Sequence, residues 1–81
     1  MEEIFVIVDT ETGNLYQGGS EYTPWIINAF TNRLLYAWKY ESKDIAYDAL
    51  KWFYKTKTEF DGNTPLKKGR LAVMQITLKP V

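Results

Sequence analysis

The chain has 81 residues, no cysteine, no histidine and ten residues of each charge sign. This length fits one domain, residues 1–81, and the missing cysteine excludes a disulfide framework and a thiolate metal site. Without histidine, the commonest general base and metal ligand is absent. We therefore expect no enzyme, no catalytic residues, no bound metal and no cofactor. Because the first apolar run is only residues 4–8, we expect neither a signal peptide nor a membrane span, and a cytoplasmic protein.

The N-terminal part predicts a β-hairpin. Residues 4–8 are β-branched and aromatic, which is typical of a buried central strand. Residues 9–14 have the composition of a turn, in which Gly13 or Asn14 can adopt the left-handed conformation. Residues 15–17 form the short return strand.

The middle of the chain predicts a loop and then a strand. For residues 22–32 we expect an irregular loop with a single turn. Residues 33–40 alternate, with one face much richer in aromatic side chains, and this pattern predicts a strand over that segment.

A helix is predicted from Lys43 to about Lys57, with Ser42 as its N-cap and Asp44 in its first turn. The apolar side chains form one broad face at helical spacing, and it comprises Ile45, Ala46, Ala49, Leu50, Trp52 and Phe53. We place the centre of that face at Ile45, Ala49 and Trp52. On the last strand, residues 70–79, we expect Met74 and Ile76 to face it.

The resulting fold class is α+β, a small antiparallel sheet of three to four strands with one helix packed on one face. The element order is β-hairpin, strand, helix, strand. Residues 60–65 form a loop before the last strand, because Pro65 cannot continue a helix.

One motif resembles a catalytic signature. The segment from Phe5 to Gly13, with the sequence FVIVDTETG, resembles the first motif of the DEDD family of 3′–5′ exonucleases, in which the Asp and the Glu hold divalent metals. The resemblance covers about nine residues. The chain has no histidine to act as the family's base, and it has about half the length that the fold needs. We interpret the segment as a hairpin turn, for which Asp, Thr and Gly are favoured by the backbone.

Two binding surfaces are compatible with the C-terminal part. Its basic residues alternate with aromatic ones, a pattern that also suits single-stranded nucleic acid. On the helix, Tyr47 and Tyr54 lie one above the other beside Lys43 and Lys51, and such a stripe suits a protein contact. We take a protein partner as the leading prediction and single-stranded nucleic acid as the alternative. The predicted partner-binding residues are Tyr47, Lys51, Tyr54, Lys43 and Trp25.

The layout of the chain resembles small accessory proteins encoded by phages and prophages of Gram-positive bacteria. The likeness lies in the opening strand with its Asp9–Tyr16 hairpin, in the aromatic segment at residues 37–40 that leads into the helix, and in the final strand close to the end of the chain. The resemblance implies a non-enzymatic, protein-binding module, an inhibitor or modulator of a host defence protein in the bacterial cytoplasm.

The last expectation concerns the sheet face away from the helix. If Ile4, Val6 and Val8 face the helix, that open face carries the side chains of Phe5, Ile7, Leu71 and Val73, with Leu35 and Ala37 or Tyr36 and Trp38 added. Charge is also unevenly divided along the chain, with five acids and no base before residue 33. We expect either a homodimer or a tight complex through this face, or a monomer in which the Trp25 loop covers it.

Overall fold

A computed structural model describes residues 2–18, 26–61 and 63–80, so the predictions for Trp25 lie outside the described residues. The fold is the predicted small α+β domain, with a four-stranded antiparallel sheet in the order β3-β2-β1-β4 and one helix packed against it. Its elements are β1 (Glu2–Asp9), β2 (Leu15–Tyr16), β3 (Phe30–Thr31), α1 (Lys43–Thr56) and β4 (Leu71–Leu78).

The first and last strands form a long, regular ladder. It pairs Glu2 with Leu78 at one end and Asp9 with Leu71 at the other, without a bulge. At the Asp9 end the chain turns into β2, and the Gly13 amide closes the turn on the Asp9 carbonyl at 2.7 Å. Gly13 has a φ of +79°, a conformation that is costly for other residues. The predicted hairpin is therefore confirmed.

The predicted strand at residues 33–40 is wrong. A 3₁₀ turn occupies Leu34–Tyr36, and the segment contacts the sheet only through single backbone links: Tyr40 forms an isolated bridge to Phe5, and the Trp38 amide donates to the Tyr16 carbonyl at 2.8 Å. The Lys39 ammonium stabilises the turn, because it donates to the carbonyls of Leu34, Leu35 and Ala37 at 3.0–3.3 Å. The third strand is instead the short Phe30–Thr31, which follows a 3₁₀ turn over Ile27–Ala29. Residues 22–25 of the predicted loop lie outside the described residues, and its described end is a 3₁₀ turn followed by a strand.

The bounds of α1 agree with the prediction, and Ser42 is its N-cap: the Ile45 amide donates to the Ser42 hydroxyl at 3.2 Å. The rotation of α1 differs from the predicted one. Ala46 and Phe53 are buried, whereas Ile45 and Trp52 are 51% and 41% exposed. Ala46 lets the helix approach the sheet, and the Phe53 ring meets the ring of Tyr16 edge-on at 4.6 Å. The centre of the buried face of α1 is therefore at Ala46 and Phe53, and Trp52 lies at its margin.

The two faces of the sheet are also the reverse of the prediction. Ile7 and Leu71 pack under α1, in a core completed by Tyr16, Ile26, Ala29, Phe53 and Phe60. Val6 lies on the other face with Leu15 and Ala37. Met74, the partner of Val6 in the ladder, is on that second face and is 38% exposed, and Ile76 lies there too.

The side chains of β4 that face α1 are apolar at one end of the strand and polar at the other, because β4 extends beyond the end of the helix. Leu71 is buried and Val73 half-buried, but Gln75 and Thr77 are exposed. The molecule is accordingly elongated, 43 × 23 × 21 Å. The distal end of the β1–β4 ladder therefore needs no apolar residues on its helix side.

Candidate functional site

The two acidic residues of the motif that resembles an exonuclease signature, Asp9 and Glu11, form ion pairs with Arg70. Asp9 is fully buried, and its carboxylate accepts hydrogen bonds from the Arg70 guanidinium at 3.0 and 3.2 Å, from the Thr12 hydroxyl at 2.7 Å and from the Glu11 amide at 3.1 Å. Glu11 also turns toward Arg70, with its Oε2 3.1 Å from Nε. Both carboxylates of the motif are therefore held by one guanidinium that joins the first turn to the last strand.

The protonation of Asp9 follows from these contacts. Burial is the largest influence and raises the pKa of Asp9, but the hydrogen bonds from Arg70, Thr12 and the Glu11 amide, with the charge of Arg70, bring the pKa below its usual value. The pKa of Arg70 is raised in turn, mainly by its hydrogen bonds to Asp9. The pair is thus charged at neutral pH. Its carboxylate oxygens already accept four hydrogen bonds.

Among the described residues, the remaining aspartates form no ion pair with Arg70, although the charges of Asp61 and Arg70 shift each other's pKa. Asp44 and Asp48 are on the exposed side of α1. Asp61 closes its own turn, since its carboxylate accepts from the amides of Asn63 and Thr64 at 2.8 and 2.7 Å. Among the described residues, no group of three or more His, Cys, Asp or Glu side chains could hold a metal ion.

A groove between α1 and the start of β4 is the best candidate for a functional site. It has a volume of about 600 Å³. We name it the tyrosine–lysine groove, and its lining residues are Tyr47, Leu50, Lys51, Tyr54, Lys55, Lys68, Gly69 and Leu71. Leu71, which is 3% exposed, contributes to its floor. The groove brings aromatic rings and ammonium groups together over an apolar base.

The helix and the loop are fixed to each other at the groove. The Tyr54 hydroxyl accepts a hydrogen bond from the Leu71 amide at 3.0 Å and lies 3.3 Å from the Lys67 carbonyl, to which it donates. The loop itself turns through Gly69, whose φ is +88°, and the Arg70 amide closes that turn on the Lys67 carbonyl at 3.1 Å. Lys68 is therefore held on a defined turn opposite the helix.

The charge of the groove is positive on every side. Three lysines line it, Lys51, Lys55 and Lys68, and no acidic residue does. Among the described residues, none of these three ammonium groups lies within 4.0 Å of a carboxylate. Clustered positive charges on a protein surface attract an anionic partner and favour its binding. The groove can therefore bind a group that combines negative charge with apolar or aromatic surface.

The structure brings together three of the five predicted partner-binding residues, Tyr47, Lys51 and Tyr54. Lys43 lies on the same stripe of α1 but does not line the groove, and Trp25 is outside the described residues. Lys55 was not predicted as a partner-binding residue, although its position one turn after Lys51 is a usable signal. Lys68 was not predicted to join them, because no local pattern indicates that the loop returns to the helix.

Exposed apolar side chains form a second surface, on and beside the sheet face away from α1. Leu35, Tyr36 and Trp38 are 77%, 56% and 54% exposed, whereas Ala37 between them is buried against Val6 and Leu15. Segment 34–38 thus covers only the centre of that face and leaves its own large side chains in solvent.

Comparison of the chain with protein-family models, with curated proteins and with solved structures found no match. Within the described parts of the chain, no helix has the length and apolarity to cross a membrane.

Proposed function

We propose that the chain is a non-enzymatic binding module that uses the tyrosine–lysine groove to bind an acidic segment of another protein. The observation that carries the proposal is the pairing of Tyr47 and Tyr54 with three lysines that have no carboxylate partner among the described residues. Tyrosine supplies a large contact area at low entropic cost, and such anchors dominate binding energy at protein interfaces.

The groove also supports a proposal about the partner's chemistry. Tyr47 is 44% exposed, so part of its side chain is available for packing. Lys51 and Lys55 lie one turn apart on α1, and Lys68 approaches from the loop. A segment with an apolar or aromatic side chain flanked by Asp or Glu satisfies both features, because its carboxylates gain three cations near an apolar surface.

The layout resemblance to phage accessory proteins extends this proposal. It makes the partner a host protein of a bacterial cytoplasm, and it makes the chain an inhibitor or modulator of a defence protein. The hydrogen bonds that fix the loop to Tyr54 support tight binding, which an inhibitor needs, since a preformed surface loses little entropy on binding.

Single-stranded nucleic acid is the alternative ligand for the same groove, because the exposed Tyr47 ring can stack on a base and the lysines can contact phosphates. The zero net charge of the chain favours a protein partner. Affinity for an oligothymidine is the measurement that separates the two. Binding that weakens steeply as salt is raised, through release of counterions, would replace the protein partner with nucleic acid.

The test compares three proteins in a pull-down from bacterial lysate, followed by mass spectrometry. The wild type and Lys43→Glu should retain the same specific protein, and Lys51→Glu should lose it. Lys43 is the matched control because it is on the same stripe of α1 and outside the groove. Equal retention by all three proteins would contradict the groove as the binding surface.

A further inference from the structure

The outer edge of β4 is an open strand edge. β4 is the last strand in the order β3-β2-β1-β4, so only one of its edges is paired with β1. The Thr10 amide donates to the Arg70 carbonyl at 2.8 Å. In an antiparallel ladder, every second residue directs its backbone N–H and C=O groups at the partner strand. Arg70, Ala72, Met74 and Ile76 therefore direct theirs at β1. The backbone groups of Val73, Gln75 and Thr77 therefore point away from β1.

The helix closes this edge at one point. The Tyr54 hydroxyl accepts from the Leu71 amide, which also points outward. Beyond Leu71, the described residues supply no partner for the outward backbone groups of Val73, Gln75 and Thr77. Pro80 has no amide hydrogen and ends the run on the other side. The free part of the edge is thus centred on Gln75.

Nothing on β4 protects this edge from pairing. Natural proteins guard exposed edges with charged residues, prolines, bulges or short strands. The segment Leu71–Leu78 carries no charge and no proline, spans eight residues, and pairs with β1 without a bulge. An unguarded edge of this kind is a template for another strand.

We infer that β4 pairs antiparallel with β4 of a second copy of the chain, about a two-fold axis at Gln75. This register pairs Val73 with Thr77 of the second copy and Gln75 with its own counterpart. It forms about six backbone hydrogen bonds, two for each of three pairs. The sheets of the two copies become one continuous sheet. This inference concerns a different surface from the tyrosine–lysine groove and does not depend on it.

The side chains of the strand support a second copy as the occupant. In this register Met74 lies opposite Ile76 of the second copy, and Leu78 lies opposite Ala72. Met74 and Leu78 are 38% and 43% exposed in the single chain. Pairing with the same uncharged strand removes apolar surface from water on both copies and places no like charges opposite each other. A C₂ contact of this kind is also closed, so it does not lead to fibres.

The first test is sedimentation of the wild type and of Gln75→Pro between about 5 and 200 µM, since dimerisation depends on concentration. The wild type should approach twice the mass of one chain, and Gln75→Pro should stay at the mass of one chain. The Gln75 amide is outside the β1 ladder, so proline leaves that ladder intact. A wild type that remains a monomer, or a dimer that persists in Gln75→Pro, would overturn the inference.

Charge exchange provides a test that does not depend on the folding of the proline variant. Gln75→Lys and Gln75→Glu should each be monomeric, because the two-fold axis places like charges opposite each other. Their equimolar mixture should form a heterodimer with at least the affinity of the wild type. Failure of the mixture to associate would contradict the register at Gln75, and a dimer of either single variant would contradict the edge contact.

Discussion

The two ends of the β1–β4 ladder have the same backbone pairing and very different surroundings. At the Asp9–Leu71 end both residues are buried, under α1 and beside Arg70. At the Glu2–Leu78 end both residues are exposed, and α1 does not cover them. Ladder hydrogen bonds alone contribute little net stability. The comparison therefore indicates that the covered end carries the stability of the domain and that the uncovered end and the edge of β4 are available for contacts.

The largest effect is expected from the core of the covered end. Phe53 is 1% exposed and packs on Tyr16 and Trp52. Phe53→Ala should lower the free energy of unfolding by about 3–5 kcal/mol, because it removes a buried ring and leaves a cavity. Urea denaturation followed by circular dichroism measures this change. The matched change at the uncovered end, Leu78→Ala, should cost less than about 1 kcal/mol. Equal losses for the two variants would contradict the comparison.

The second effect concerns the ion pair. Arg70→Met should cost about 2–4 kcal/mol, because it leaves the buried carboxylate of Asp9 without its charged partner. The guanidinium also lies 3.6 Å from the centroid of the Phe60 ring, and methionine keeps part of that packing. Glu11→Gln is the control, since Glu11 contacts the same guanidinium but its side chain is 64% exposed. A loss for Glu11→Gln as large as for Arg70→Met would show that surface charge, rather than burial, dominates at this turn.

The third effect is the response to acid. The pKa values of Asp9 and Asp61 are lowered in the folded chain, so the unfolded chain takes up protons first as the pH falls. The stability that these carboxylates contribute is complete above the unfolded value of about 4, and it is lost as the pH falls through their lower folded values. Thermal melts between about pH 6 and 2 should show this loss. Asp9→Asn should flatten the profile, and an unchanged profile in that variant would remove Asp9 as its source.

A loss of stability smaller than that for Phe53 or Arg70 is expected at Trp52. The chain's apolar pattern predicts Trp52 at the centre of the helix face, where its removal would cost as much as that of Phe53. Because Trp52 is 41% exposed and contacts the core edge-on at the Phe53 ring, Trp52→Ala should cost about 1–2 kcal/mol. The same urea titration measures it. A loss close to that of Phe53→Ala would restore the predicted rotation of α1.

Local signals in the sequence predicted the elements that depend on local interactions. The N-cap at Ser42, the turn that ends at Gly13 and the strands around Val6 and Met74 all follow from nearby residues. The strand predicted at residues 33–40 was wrong. The alternation of its side chains fits a strand, but the Lys39 ammonium donates to three backbone carbonyls and stabilises a turn instead. Such hydrogen bonds from a lysine side chain to nearby carbonyls cannot be predicted from the spacing of apolar residues.

Long-range contacts explain what could not be predicted of the candidate site. Arg70 is 61 residues from Asp9 along the chain, so no local pattern indicates that the two side chains meet. The same holds for Lys68, which reaches the groove through the turn at Gly69. The helical stripe of Tyr47, Lys51 and Tyr54 was accessible to sequence analysis because helical periodicity alone places these residues together. The rest of the groove depends on where the loop docks.

Amide hydrogen exchange, resolved by residue in dilute solution, tests the contrast between the two ends of the ladder most directly. The amide of Leu71, held by Tyr54, and that of Ala72, paired with Val8 in the ladder, should exchange slowly. The outward amides of Gln75 and Thr77 should exchange quickly, and they should become protected as concentration is raised and β4 pairs with a second copy. Uniform protection along β4 in dilute solution would contradict both the free end and the open edge.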